Sequence, residues 1–184
     1  MSSVLTVANQ LTLLRLLLIP VFALCLLYGL FGWALVVFVI AGITDALDGL
    51  IARWTRQPTT LGAWLDPMAD KLLLLTTFVM LTLPDLGLVN RLPVWLTVLV
   101  ISRDVGIVLT VTVVNLAIAR RTFRPSIFGK AATAIYIVTG VVTLYFNYRR
   151  EPSLLVTICV YVALAITVVS ALDYLRRMAR PERT

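Results

Sequence analysis

The sequence predicts an all-α, polytopic membrane protein, a six-transmembrane-helix bundle with a polar cavity at the cytoplasmic side. Three observations predict it. Of 184 residues, 60% are hydrophobic and only 14% charged, and the mean hydropathy of +0.99 lies outside the range of soluble domains. The apolar residues fall into six runs, each long enough to cross ~30 Å as a helix. Four aspartates, Asp45, Asp48, Asp66 and Asp70, sit close together in this apolar setting. A carboxylate at membrane depth costs at least ~2.5–3.5 kcal/mol on insertion scales, so four together require a cation or a water-filled cavity.

The first run, residues 10–29, carries Arg15 and lacks a small-residue cleavage site, which predicts a retained helix and a mature chain equal to the whole chain. Ser2 to Ala8 is too short to span and is expected to fray, with Asn9 capping the first helix. The breakers of Tyr28 to Gly32 separate it from the second run, 32–53, which ends in Asp45, Asp48, Gly49 and Arg53. Pro58 and Gly62 allow a turn before the third run, 68–88, and Pro84 to Pro93 close that one. The fourth run, 93–119, holds Arg103 and Asp104 at its middle, where exposure to lipid would be expensive. Arg120 to Pro125 leads to the fifth run, 127–145, and Asn147 to Pro152 to the sixth, 153–175. There is no internal repeat and no soluble domain, so residues 1–184 are expected to form one membrane domain.

Six spans put both termini on one side. Eleven basic residues, Arg53, Arg56, Lys71, Arg120, Arg121, Arg124, Lys130, Arg176, Arg177, Arg180 and Arg183, fall on that side, against Arg91, Arg149 and Arg150 opposite. The positive-inside rule makes the richer side the cytoplasm, which predicts an integral, multi-pass protein of the inner membrane with its termini and aspartates cytoplasmic. The net charge of +7 is accounted for by this topology and by anionic headgroups, so no nucleic-acid partner is expected.

The chain contains no histidine, which excludes a histidine nucleophile or base and any histidine-containing zinc site. Cys25 and Cys159 each lie within a span, where a free thiol behaves as a small apolar group. Asp45 and Asp48 are three apart, and Asp66 and Asp70 four apart, so each pair shares a helix face. The seventeen residues between Asp48 and Asp66 are enough to leave one helix and begin the next, so the two acidic faces can meet. Four carboxylates form a hard oxygen set that suits Mg²⁺, Mn²⁺ or Ca²⁺ and disfavours zinc or copper. The alternative is that each acid caps a helix or pairs with an arginine, Asp48 with Arg53 or Asp70 with Arg103. Gly49 and Gly62 either admit a ligand to the backbone or let helices approach closely.

The string Asp45-x2-Asp48-Gly49-x2-Ala52-Arg53-x8-Gly62-x3-Asp66-x3-Asp70 resembles the motif of the CDP-alcohol phosphatidyltransferase family at every fixed position. The resemblance extends to Asn9-x2-Thr12-x2-Arg15-x4-Pro20 and to Pro125-Ser126-x2-Gly129-Lys130-x2-Thr133. It implies that one or two Mg²⁺ or Mn²⁺ ions are held by Asp45, Asp48, Asp66 and Asp70, with Asp70 also the general base. By the same resemblance Gly49, Ala52, Arg53 and Gly62 receive the CDP pyrophosphate, an acceptor hydroxyl displaces CMP from CDP-diacylglycerol, and a homodimer is possible.

The acceptor is expected to carry glycerol. Arg103, Arg124 and Lys130 are candidates for binding a phosphate on it by charge-assisted hydrogen bonds. Pro67 and Lys71 look like the branch that uses glycerol 3-phosphate and makes phosphatidylglycerophosphate, which is the leading expectation. Ile101-Ser102-Arg103-Asp104-Val105 instead resembles members that form cardiolipin from phosphatidylglycerol. A reading from another class is a cation transporter using the aspartates as an ion site, which predicts acids spread along a path and not clustered at one membrane face.

Overall fold

The computed structural model describes the backbone of residues 7–55, 60–117 and 126–179, and the side chains of residues 10–44, 71–107, 109 and 126–176. It is all-helical in those residues. The helices are α1 (Val7–Leu27), α2 (Phe31–Thr55), α3 (Thr60–Thr82), α4 (Val94–Ala117), α5 (Ile127–Arg149) and α6 (Leu154–Ala179), with a 3₁₀ turn at Pro84–Leu86. Three of them, α1, α5 and α6, contain described stretches long and apolar enough to cross a bilayer. Large apolar side chains face outward along the helices, among them Leu17, Val94, Leu154 and Leu175, each at least 60% exposed. A soluble protein of this size would bury many of these, whereas lipid solvates them without cost.

Helices α1, α3 and α5 show boundaries that differ from the sequence expectation for identifiable reasons. Asn9 is the third residue of α1 and not its cap, because nothing in Val7-Ala8 interrupts the helix. The third helix runs from Thr60 to Thr82 in place of 68–88. It ends there because Pro84 forces Leu83 into the extended region (φ −63°, ψ 136°), and Gly87 then turns the chain at φ 63°. The fifth helix continues to Arg149, past the expected end at 145.

The chain divides into two compact units. The first contains residues up to Arg91 together with Thr143–Pro152. In it α1 packs on both α2 and α3, and α2 packs on α3. The buried positions recur at helical spacing: Phe22 and Leu26 on α1, Ala34, Phe38 and Ala41 on α2, and Leu74, Phe78 and Leu81 on α3. Small residues at 34 and 41 let backbones approach, and Phe22 meets Phe38 at 5.8 Å between ring centroids. Gly29, at φ 70°, ends α1 in a Schellman motif, its N–H donating to Leu26 O and that of Leu30 to Cys25 O. The α5 end in this unit closes the same way, with Arg150 at φ 57° in the position that glycine usually takes. Asn147 is fully buried there, accepting from Asn90 N–H at 2.9 Å and donating to Asn90 O at 2.8 Å.

The second unit contains Leu92–Val142 and Ser153–Thr184. Here α4 packs on α6, with Leu96, Val100, Tyr136, Val160 and Ala163 buried. Buried hydroxyls in both units bond back into their own helices, as Thr77 does to Leu73 O and Thr167 to Ala163 O. That satisfies polar atoms where water is absent.

Candidate active site

The family-like motif lies on two helices that touch. α2 carries Asp45, Asp48, Gly49, Ala52 and Arg53, and α3 carries Gly62, Asp66 and Asp70. Helical backbone through both stretches gives the i,i+3 and i,i+4 spacings their physical meaning, since each acidic pair then occupies one side of its helix. The side chains of these eight residues lie outside the described residues, as does the whole of Arg124. What the backbone supplies is two acidic pairs on two helices that pack in one unit. Such a set fits a hard divalent cation, which prefers carboxylate oxygens from several positions.

The third helix of this unit presents its own polar face. Thr12 and Arg15 of α1, three residues apart, are both fully buried. The Arg15 guanidinium is thus inaccessible to water on a helix that packs against both aspartate-bearing helices. The sequence marks it by the Thr12-x2-Arg15 spacing, but no site role was expected of it.

A second polar cluster occupies the other unit. Arg103, with 10% of its side chain exposed, pairs with Asp104 through Nη1 at 2.6 Å and donates from Nη2 to Ser170 Oγ at 2.6 Å. Its Nε is buried and has no hydrogen-bond partner among the described residues. A Cβ added at Gly129 would stand 3.3 Å from Nη2, so glycine there leaves room for the guanidinium beside α5. Ser126 donates to Asp173, and Tyr136 meets the Thr167 hydroxyl at 2.6 Å. Arg103 thus pairs with its sequence neighbour.

Of the acceptor candidates, Arg103 is at the centre of this cluster and Lys130, next to Gly129, is exposed. Ser126, Tyr136, Ser170 and Asp173 were not expected in a site. Their signal in the sequence is the three-residue spacing of Thr167, Ser170 and Asp173 along an otherwise apolar helix, which places three polar groups on one face.

A family model described as CDP-alcohol phosphatidyltransferase matches residues 5–169. A Mycobacterium tuberculosis protein named probable phosphatidylglycerophosphate synthase is 37% identical over 183 aligned residues, covering 94% of this chain and 81% of that protein. The Homo sapiens cardiolipin synthase (CMP-forming) is 35% identical over 173 residues, covering 84% of this chain and 56% of that protein. The Streptomyces coelicolor cardiolipin synthase (CMP-forming) is 37% identical over 139 residues, covering 71% and 60% respectively.

Proposed function

Because the chain belongs to the CDP-alcohol phosphatidyltransferase family and is therefore a membrane transferase, we propose that it moves the phosphatidyl group of CDP-diacylglycerol to glycerol 3-phosphate. The products are phosphatidylglycerophosphate and CMP. The observation that carries the acceptor assignment is the extent of similarity to the mycobacterial protein, 37% identity across 94% of this chain. The sequence Asp66-Pro67-Met68-Ala69-Asp70-Lys71 supports it.

In this reading Asp70 takes the proton from the acceptor hydroxyl as its oxygen attacks the β-phosphorus. The bond from that phosphorus to the CMP oxygen breaks, and CMP leaves with the electron pair. Asp45, Asp48 and Asp66, with Asp70, hold one or two Mg²⁺ or Mn²⁺ ions. When bound, such ions neutralise charge on the transferring phosphate and the departing nucleotide. Arg53, one turn beyond Asp48, contacts the pyrophosphate, and Gly49, Ala52 and Gly62 keep the backbone open to it. Arg103, Lys130 and Arg124 bind the acceptor phosphate. The six helices span an inner membrane as one domain, as a monomer or homodimer, with both termini and the aspartates on the cytoplasmic side. The diacylglycerol tails remain in lipid while the nucleotide lies in a polar cavity. Transport through the aspartates is set aside by the family match.

A second reading, cardiolipin formation from phosphatidylglycerol, has one observation in its favour. The Arg103 charge is matched by Asp104 at 2.6 Å, which weakens its pull on a phosphate monoester. The two readings separate in one assay of purified protein with CDP-diacylglycerol and Mg²⁺ or Mn²⁺, with the acceptors in separate reactions. CMP release with glycerol 3-phosphate and not with phosphatidylglycerol is expected, and the reverse result replaces the first reading by the second. Silence with both acceptors would overturn both.

A further inference from the structure

At the opposite end of α2 from the aspartates the first unit contains a groove of about 600 Å³, within the size range of small-molecule sites. Leu30, Phe31, Trp33, Val36, Tyr148 and Arg150 line it. Asp45 lies fourteen residues further along α2 than Phe31, about 21 Å at 1.5 Å per residue, so the groove is separate from the metal-binding end. We propose that this groove binds an anionic phospholipid of the leaflet remote from the aspartates, with Arg150 receiving the phosphate and α2 receiving an acyl chain.

Four features of the groove carry this. Its lining is apolar except for one cation, Arg150, whose guanidinium lies 4.8 Å over the Phe31 ring, while the neighbouring Glu151 is paired with Arg149 at 3.0 Å. Trp33 and Tyr148, 66% and 57% exposed, place amphipathic rings beside it, as aromatic residues do at headgroup level. Gly32 has no Cβ, and one would stand 2.9 Å from the Tyr148 ring, so the glycine lets that ring lie against α2 and form the wall. Arg150 occupies a left-handed conformation, φ 57°, that suits glycine and strains an L residue, so the arginine is kept there against backbone preference. A guanidinium so fixed offers planar donors to a phosphodiester.

The test uses the full chain reconstituted in liposomes containing a diazirine-chain phosphatidylserine or the matching phosphatidylcholine. Phosphatidylserine is neither acceptor nor product of the proposed reaction. After photolysis, peptide mapping should find label on Leu30–Val36 and at Tyr148, about fivefold more with phosphatidylserine, the factor expected of one basic residue near an anionic lipid. Arg150→Gly keeps the backbone conformation at ease while removing the guanidinium, so it should fold, retain CMP release and lose the preference. Equal labelling by the two lipids in the unaltered protein overturns the proposal. So does a preference that survives in R150G, or a groove protected from both lipids by a second copy of the chain. Because CMP release is read separately, failure here and failure of the assigned reaction are distinguishable.

Discussion

Replacing Ser170 by alanine tests whether Arg103 serves the acceptor or only the fold. The substitution removes one hydrogen bond to the Arg103 guanidinium, 2.6 Å long, and leaves the Asp104 pair in place. Hydrogen bonds between membrane helices are worth ~0.6 kcal/mol on average and up to ~1.7, and those to charged groups in soluble proteins ~1.5–3. About 1–1.4 kcal/mol is therefore the expected loss, which is a factor of about five to ten in an equilibrium constant. If Arg103 holds the acceptor phosphate, that loss falls on acceptor binding, so the KM for glycerol 3-phosphate rises by that factor while kcat changes little. The assay is CMP release against acceptor concentration at saturating CDP-diacylglycerol, with thermal unfolding in detergent followed in parallel. The melting temperature should fall by only about 2–5 °C. An unchanged KM together with a lowered melting temperature would refute the reasoning and make Arg103 a structural cation.

Under the proposed reaction, Asp70→Asn should retain CDP-diacylglycerol binding and lower turnover by about 10²–10⁴, the range for a lost general base. Full turnover in that variant would remove the role. Asp45→Asn should weaken nucleotide binding and shift the metal dependence together, read as the Mg²⁺ concentration for half-maximal CMP release. Treatment with a chelator should abolish CMP release, and added Mg²⁺ or Mn²⁺ should restore it. Gly129→Ala should raise the acceptor KM a few-fold, because the new methyl crowds Arg103 Nη2 at 3.3 Å. Asn147→Leu removes two hydrogen bonds to the Asn90 backbone from a fully buried position, so it should cost about 2–3 kcal/mol and lower the melting temperature by about 5–10 °C without touching the acceptor KM.

The parts legible in the sequence are those whose information is local. Apolar runs give helices because a bilayer leaves the backbone few other ways to satisfy its hydrogen bonds. The acid pairs at i,i+3 and i,i+4 do lie on helical backbone, so each pair shares a helix face as the spacing predicts. Boundaries were less legible where hydropathy and backbone chemistry disagree. Leu86, Leu88 and Val89 extend the apolar run beyond Thr82, yet Pro84 had already set Leu83 in an extended conformation. At the other end of α3, Pro58 and Gly62 read as a turn, but helix resumes at Thr60 and includes Gly62.

Of the polar cluster around Arg103, the sequence marked Arg103, Asp104 and Lys130, and the other members were illegible for a different reason. Its members are separated by up to 70 positions, from Arg103 to Asp173, and each is individually ordinary in a membrane helix. Only the packing of α4 on α6 makes Ser170 a partner of Arg103, and only the absence of a side chain at Gly129 leaves space beside them. The same logic explains why the acceptor was harder to read than the donor. Under the proposed reaction, pyrophosphate recognition is assigned to one motif on two consecutive helices, where spacing encodes geometry. The proposed acceptor pocket draws on residues from the fourth helix onward, so its selectivity rests on how Asp104 and Ser170 share one guanidinium. In that proposal, a change at Asp104 would alter the net charge beside the acceptor, and one at Ser170 the hold on the guanidinium, without altering the aspartate motif.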